Sequence, residues 1–395
     1  MKLNHGLHLA YCTNIHRGET WAETFAALQQ YCLAVRQQVC PNRPYAIGLR
    51  LSAQAAQELS DRERLLEFQR WLGQHQCYVF TINGFPYGAF HGTRVKEQVY
   101  LPDWTSDARL AYTNLLFDLL AQLLPRDIPG SVSTVPCGFK ELVSTPEELR
   151  LIRTHLWKCV EHVSRLATQT GRKLQLGLEP EPACLLETTS EVVHLFDRLR
   201  AEHRNDPRLA EYLGVTYDTC HLAVEFEEPR EAIGRLIQHG IKLSKIHLSS
   251  ALKVRPTAEV RQSLAAFADD TYLHQVIVHR PDGSRALYLD LDDALACERH
   301  DAAPGDPAAP EWRIHFHIPL HSPPTDLFDN TVDHIDGVLD ILSTNPILCP
   351  HLEMETYTWE VLPEHMKSGN VVDQLVAEYQ WTLARLAARG LAPTG

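Results

Sequence analysis

The sequence predicts an α/β protein: a single (β/α)8 TIM barrel over residues 1–395, with an inserted hairpin and linker after the seventh strand. Three observations predict it. Short apolar or alternating runs recur eight times, with amphipathic stretches between them. A length of 395 residues suits one barrel carrying insertions. No GxGxxG follows the first run, which leaves the doubly wound open sheet without its usual signature.

The eight runs fall at residues 7–11, 46–51, 78–82, 131–135, 174–178, 213–217, 243–248 and 352–356. Each has the length and apolar character of a buried parallel strand. Between them, residues 20–39 place Trp21, Phe25, Leu28, Leu33 and Val35 near helical spacing. Residues 145–170 open on Thr-Pro-Glu-Glu, an N-cap followed by proline and acidic residues in the first turn, and stop at Gly171. Residues 371–389 stop at Gly390 in the same way. Two stretches interrupt the repeat. Residues 85–104 read as a long aromatic and glycine-rich loop after the third strand, a pocket wall or lid. Residues 252–312 read as an insertion: strands at 272–278 and 286–291 flank Pro281-Asp282-Gly283-Ser284, and residues 302–310 form a Pro/Ala-rich linker.

Charge narrows the function classes. The 37 Lys and Arg against 50 Asp and Glu give a net charge of −13, which repels phosphate backbones, so no nucleic-acid partner is expected. The N-terminus has no long apolar run, so a signal peptide is not expected, nor is a membrane span. Ten scattered cysteines without a CxxC pair read as reduced thiols, and a cytoplasmic location follows as an expectation.

In a barrel the chemistry sits where strands end. Those ends carry metal-ligand residue types: Glu179 and Glu181 after the fifth strand, Asp218 and His221 at the sixth, His247 at the seventh. His315, His317 and His321 follow the insertion, and Glu353 and Glu355 share a face of the eighth strand by its alternation. A mixed oxygen and nitrogen set suits a divalent cation such as Mn, Zn, Mg or Co. Any one of these carboxylates is more often a helix cap, and His247 alone reads as a core histidine; the conjunction carries the metal-site expectation. Asn14, His16, His91, Cys137 and Lys140 are weaker candidates for substrate contact, and Cys220 reads as a small buried thiol.

At these motifs the chain resembles the xylose-isomerase-like barrel superfamily of sugar and inosose isomerases, ketose 3-epimerases and endonuclease IV-type enzymes. The resemblance rests on Glu179, the Asp-Thr-Cys-His of 218–221, His247, the His-Ile-Pro-Leu of 317–320 and Glu355. It implies Glu179, Asp218, His247 and Glu355 as metal ligands. It also implies Glu179 and Glu355 as proton-transfer groups and His221 as a contact to a substrate oxygen. Glu181, His315, His317 and Glu353 are the possible additional ligands. Where endonuclease-like members carry Asp-x-His, this chain has His315-Phe316-His317. The stretches YCTNIHRGETW and LEMETYTWEVLP further resemble the Ebo-cluster metabolite traffic proteins of the EboE type. That likeness implies a small polyol, sugar-like or secondary-metabolite ligand; self-association is common in the superfamily, so a homo-oligomer is a further expectation.

Overall fold

The computed structural model describes residues 1–393 apart from 90, 93, 299, 300, 304 and 307. Positions 90 and 93 of the aromatic loop, and 304 and 307 of the expected linker, therefore lie outside the described residues. Seven strands appear in order: β1 (His8–Tyr11), β2 (Tyr45–Arg50), β3 (Cys77–Asn83), β4 (Gly130–Thr134), β5 (Leu174–Leu178), β6 (Leu213–Asp218) and β7 (Lys242–Leu248). The insertion then contributes β8 (Ser250–Val254), β9 (Val276–His279), β10 (Arg285–Tyr288), β11 (Glu311–Ile318) and β12 (Asp329–Asn330). The chain returns to the barrel as β13 (His351–Met354).

Eight strands form one parallel sheet in the order β1-β13-β7-β6-β5-β4-β3-β2. A parallel bridge between Cys12 and Gly48 links its two edges, so the sheet curls into the (β/α)8 barrel. Nearly every barrel-strand residue is buried, which explains why these strands read as apolar runs. The helices begin where the sequence signals them. Thr20 and Thr145 each close a capping box, with Glu23 and Glu148, and Gly171 takes the left-handed conformation at φ +67° that ends its helix. The helix expected over 20–39 is interrupted by a π-helical turn at Leu28–Cys32, where Leu28 and Cys32 are both buried. Among the described residues, no helix is long and apolar enough to cross a membrane.

The insertion is larger than the expected hairpin and linker. The hairpin exists as β9 and β10, paired antiparallel around a turn with Gly283 at φ +84°. It belongs, however, to a five-stranded sheet ordered β10-β9-β11-β8-β12, spanning 250–330 instead of 252–312. Leu252, Val276, Trp312, Ile314 and Phe316 give that sheet its own buried cluster. Two of its strands are hard to read from sequence. Only Ser249 separates β8 from β7, so the two read as one run. In β11, three polar or charged residues alternate with Ile314, Phe316 and Ile318, and its histidines read as loop ligands.

Candidate metal centre

Two strands and two strand exits bring four side chains to one point. Glu179 follows β5, with its backbone N–H bonded to Thr134 O at 3.1 Å. Asp218 ends β6, His247 lies in β7, and Glu355 follows β13. All four are buried, and one candidate ligand atom from each lies within 4.8 Å of all the others. The convergence centres on His247 Nδ1, which is 2.7 Å from Glu355 Oε2, 2.9 Å from Glu179 Oε1 and 3.4 Å from Asp218 Oδ2.

The cap reading and the ligand reading of Asp218 fall on different oxygens. Oδ1 accepts from Cys220 N at 2.8 Å, His221 N at 3.0 Å and Ser249 Oγ at 2.7 Å. It caps the short helix Thr219–Val224. Oδ2 makes no hydrogen bond among the described residues, and neither does Glu179 Oε2. Buried carboxylate oxygens are normally satisfied, so two orphans on converging residues fit a cation. Electrostatics agree. Burial pushes the Asp218 carboxyl up, but His221, His247 and His317 hold it well below the usual range. Burial pushes His247 down, but Glu355 and Glu179 hold it well above. Three crowded carboxylates thus demand positive charge.

Glu353 faces away from this point. Its Oε2 takes His247 Nε2 at 2.9 Å and Lys245 Nζ at 2.6 Å, and Lys245 also donates to Ser133 Oγ at 3.2 Å. Burial raises the Glu353 carboxyl, but Lys245 and His247 together bring it to about 2. Glu353 and Glu355 do share a side of the strand, since both meet the His247 ring, but at different nitrogens. The converging group of four takes Glu355 and not Glu353, the possible additional ligand. Glu353 instead fixes the ring from behind, leaving Nδ1 for the centre. Gly48 makes room for it: a Cβ there would lie 1.8 Å from Glu353 Oε1.

A histidine trio stands beside the four. His221 Nδ1 is 2.9 Å from Pro180 O, and His317 Nδ1 is 3.0 Å from the Glu355 carbonyl. Carbonyls only accept, so both Nδ1 atoms carry protons. His315 Nδ1 lies 2.7 Å from Gln275 Oε1, while Gln275 Nε2 donates to Tyr100 and Pro182. The Nε2 lone pairs of His315 and His317 then face each other at 3.3 Å, a contact that needs a shared proton or cation. Asp218, His221 and His317 form a second group with ligand atoms within 4.8 Å, and Cys220, His315 and His317 a third.

Other candidates separate. Asn14 joins the site, donating to Glu355 Oε1 at 2.5 Å. Glu181 lines the pocket with its carboxylate accepting from Tyr100 at 2.7 Å, and burial raises its pKa well above the usual value. His91 bonds Tyr272 and Asn14 O above the site, and His16 is bonded to Tyr11 at 2.9 Å and stacked on Tyr31. Lys140 is spent on Glu187 and Glu191, and Cys137 is a buried thiol. His321 lines a different cavity. Sequence reading missed Asn83, which donates to Glu355 Oε1 at 3.3 Å and sits at the end of β3, where the strand-end filter reaches it. It also missed Lys245, whose signal was a lysine inside an apolar strand.

Above the centre lies a cavity with about 530 Å3 of empty space, counting the open solvent at its mouth. Asn14, Asn83, Glu179, His221 and Glu355 form its polar floor. Among solved structures the chain is similar to an L-ribulose 3-epimerase, at 13% identity and TM-score 0.52 over 98% of this chain and 96% of that one. It is similar to a xylose isomerase-like TIM barrel protein from Mycobacterium smegmatis in complex with magnesium, at 13% identity and TM-score 0.54 over 98% and 99%. It is also similar to the probable 3-DHS dehydratase AsbF of Bacillus anthracis, at 14% identity and TM-score 0.50 over 97% and 98%. No protein-family model matches the chain, and no curated protein does. At such identities the likeness establishes the fold alone, a (β/α)8 barrel. None of these three bears an Ebo-type name.

Proposed function

We propose that the protein is a metal-dependent isomerase or epimerase of a sugar, cyclitol or related polyol. The observation that carries this reading is the convergence of Glu179, Asp218, His247 and Glu355, two of whose carboxylate oxygens have no hydrogen bond among the described residues. These four residues would hold a divalent Mn, Zn, Mg or Co ion. Such an ion polarises a carbonyl and its neighbouring hydroxyl and so acidifies the C–H between them. Glu179 and Glu355 reach the centre from different strands, so one carboxylate takes the carbon-bound proton and the other returns it. Asn14 and Asn83 fix Glu355 through its Oε1. His221, protonated at Nδ1, offers an Nε2 lone pair to a substrate hydroxyl. Single Glu179→Gln and Glu355→Gln variants should each lose at least ~100-fold in turnover of a ketose or polyol substrate. Full turnover in both would contradict the mechanism.

The histidine trio favours a second reading, in which His317 holds a further cation, either with His315 and Cys220 or with His221 and Asp218. A multi-metal centre suits phosphodiester hydrolysis. The net charge of −13 disfavours a nucleic-acid substrate, and lack of cleavage of abasic duplex DNA would dismiss it. The two Ebo-like stretches support a secondary metabolite as the ligand. They also support an alternative in which the pocket carries that ligand without turning it over; tight binding without product would distinguish that carrier from the enzyme.

A further inference from the structure

The floor of the cavity is polar, whereas its roof presents mainly apolar side chains. Val95 and Tyr272 form a small buried apolar cluster with Val99, Tyr357 and Val361, separate from the barrel core. Val95, Val99, Tyr272 and Tyr357 line the cavity, together with Phe85 and Leu273. Three excursions build this roof: the loop after β3, the insertion after β7 and the segment after β13 that carries Tyr357. The first two are joined where Val95 N and Lys96 N both donate to Thr271 O at 3.0 Å.

Several roof polar groups are already engaged. Tyr272 OH is bonded to His91 Nδ1 at 2.6 Å. Lys96 Nζ donates to Asp290 Oδ2 at 2.5 Å and to Asp269 O at 2.8 Å. Tyr100 OH donates to Glu181 and accepts from Gln275. A free sugar carries a hydroxyl on almost every carbon, and a hydroxyl buried against carbon without a partner is strongly unfavourable. Carbon against carbon is favourable there.

We infer that the ligand is a hydroxyketone or polyol bearing an apolar substituent. Its oxygens meet the carboxylate and histidine floor, and its substituent packs under Val95, Val99, Leu273 and Tyr357. This rests on the metal-centre reading above and adds the substrate class to it. Because the roof segments after β3 and β7 are excursions from the barrel, they set this selectivity without altering the floor.

The test uses the full chain loaded with Co2+, whose visible spectrum reports on oxygen ligands. It is titrated with hydroxyacetone, 2-hydroxyacetophenone and D-fructose. The phenyl-bearing hydroxyketone should bind about tenfold or more tightly than hydroxyacetone. Val99→Asn and, separately, Leu273→Asn should shrink that ratio, so that one misfolded variant does not decide the result. Equal affinity for the two hydroxyketones, or tightest binding by fructose, would overturn the inference and leave the metal centre standing. No cobalt bound before any ligand is added would overturn the metal-centre reading, and this inference with it.

Discussion

The two ends of the barrel both bury polar side chains, but they treat them differently. At the N-terminal end His8 Nδ1 meets Tyr78 OH at 2.8 Å, Ser131 Oγ meets His351 Nδ1 at 2.9 Å, and Thr81 Oγ1 meets Ser131 Oγ at 2.8 Å. These are neutral groups in pairs; one histidine nitrogen, His351 Nε2, is left over. At the C-terminal end, carboxylates crowd a single imidazole nitrogen and two of their oxygens have no hydrogen bond. Paired neutral groups hold a fold together, whereas unpaired charge aimed at a point serves a ligand. The Lys245–Glu353 pair sits between the two regimes and belongs to the second, since it backs His247.

Acid should separate the ends most strongly. Burial, with the terminal amine and Lys2, lowers the His8 pKa to about 4. Burial, with His8 and Lys245, lowers that of His351 to about 3. An unfolded histidine titrates near 6.5, so both residues stabilise the fold above that pH. That contribution is lost as pH falls from 6.5 toward 4 and then 3, on the order of several kcal/mol in all. Urea unfolding across this range should show the decline, and histidine NMR titration should find these two rings neutral above pH 5. Rings titrating near 6.5 would contradict the neutral pairing at this end.

Glu353→Ala comes next. It leaves Lys245 buried without its carboxylate, which costs about 3–5 kcal/mol by chemical denaturation and frees the His247 ring. A loss below ~1 kcal/mol would mean that the pair does not behave as a buried ion pair. Ser131→Ala is the smallest change, about 1 kcal/mol for one neutral hydrogen bond, with metal binding retained.

The same contrast explains what the sequence made legible. Barrel strands were readable because burial on both faces makes them short apolar runs, as in β5, expected and found at 174–178. Glu179, Asp218, His247 and Glu355 were readable because a barrel aims its strand ends at one place. Alternation put Glu353 and Glu355 on one side, where both meet His247, but it could not tell which ring nitrogen each would take or that Lys245 would hold Glu353. Lys245 and Asn83 gave one polar letter each, and only their partners on or beyond another strand, Glu353 and Glu355, give them meaning. The inserted sheet was read as a hairpin because β8 follows β7 after a single residue and β11 advertises histidines more than strand character.

The most direct measurement is the metal content of the purified full chain by elemental analysis, beside an Asp218→Ala, His247→Ala double variant. The account predicts about one Mn, Zn, Mg or Co per wild-type chain and none in the variant. A folded wild-type chain that takes up no divalent metal under any loading condition would contradict it.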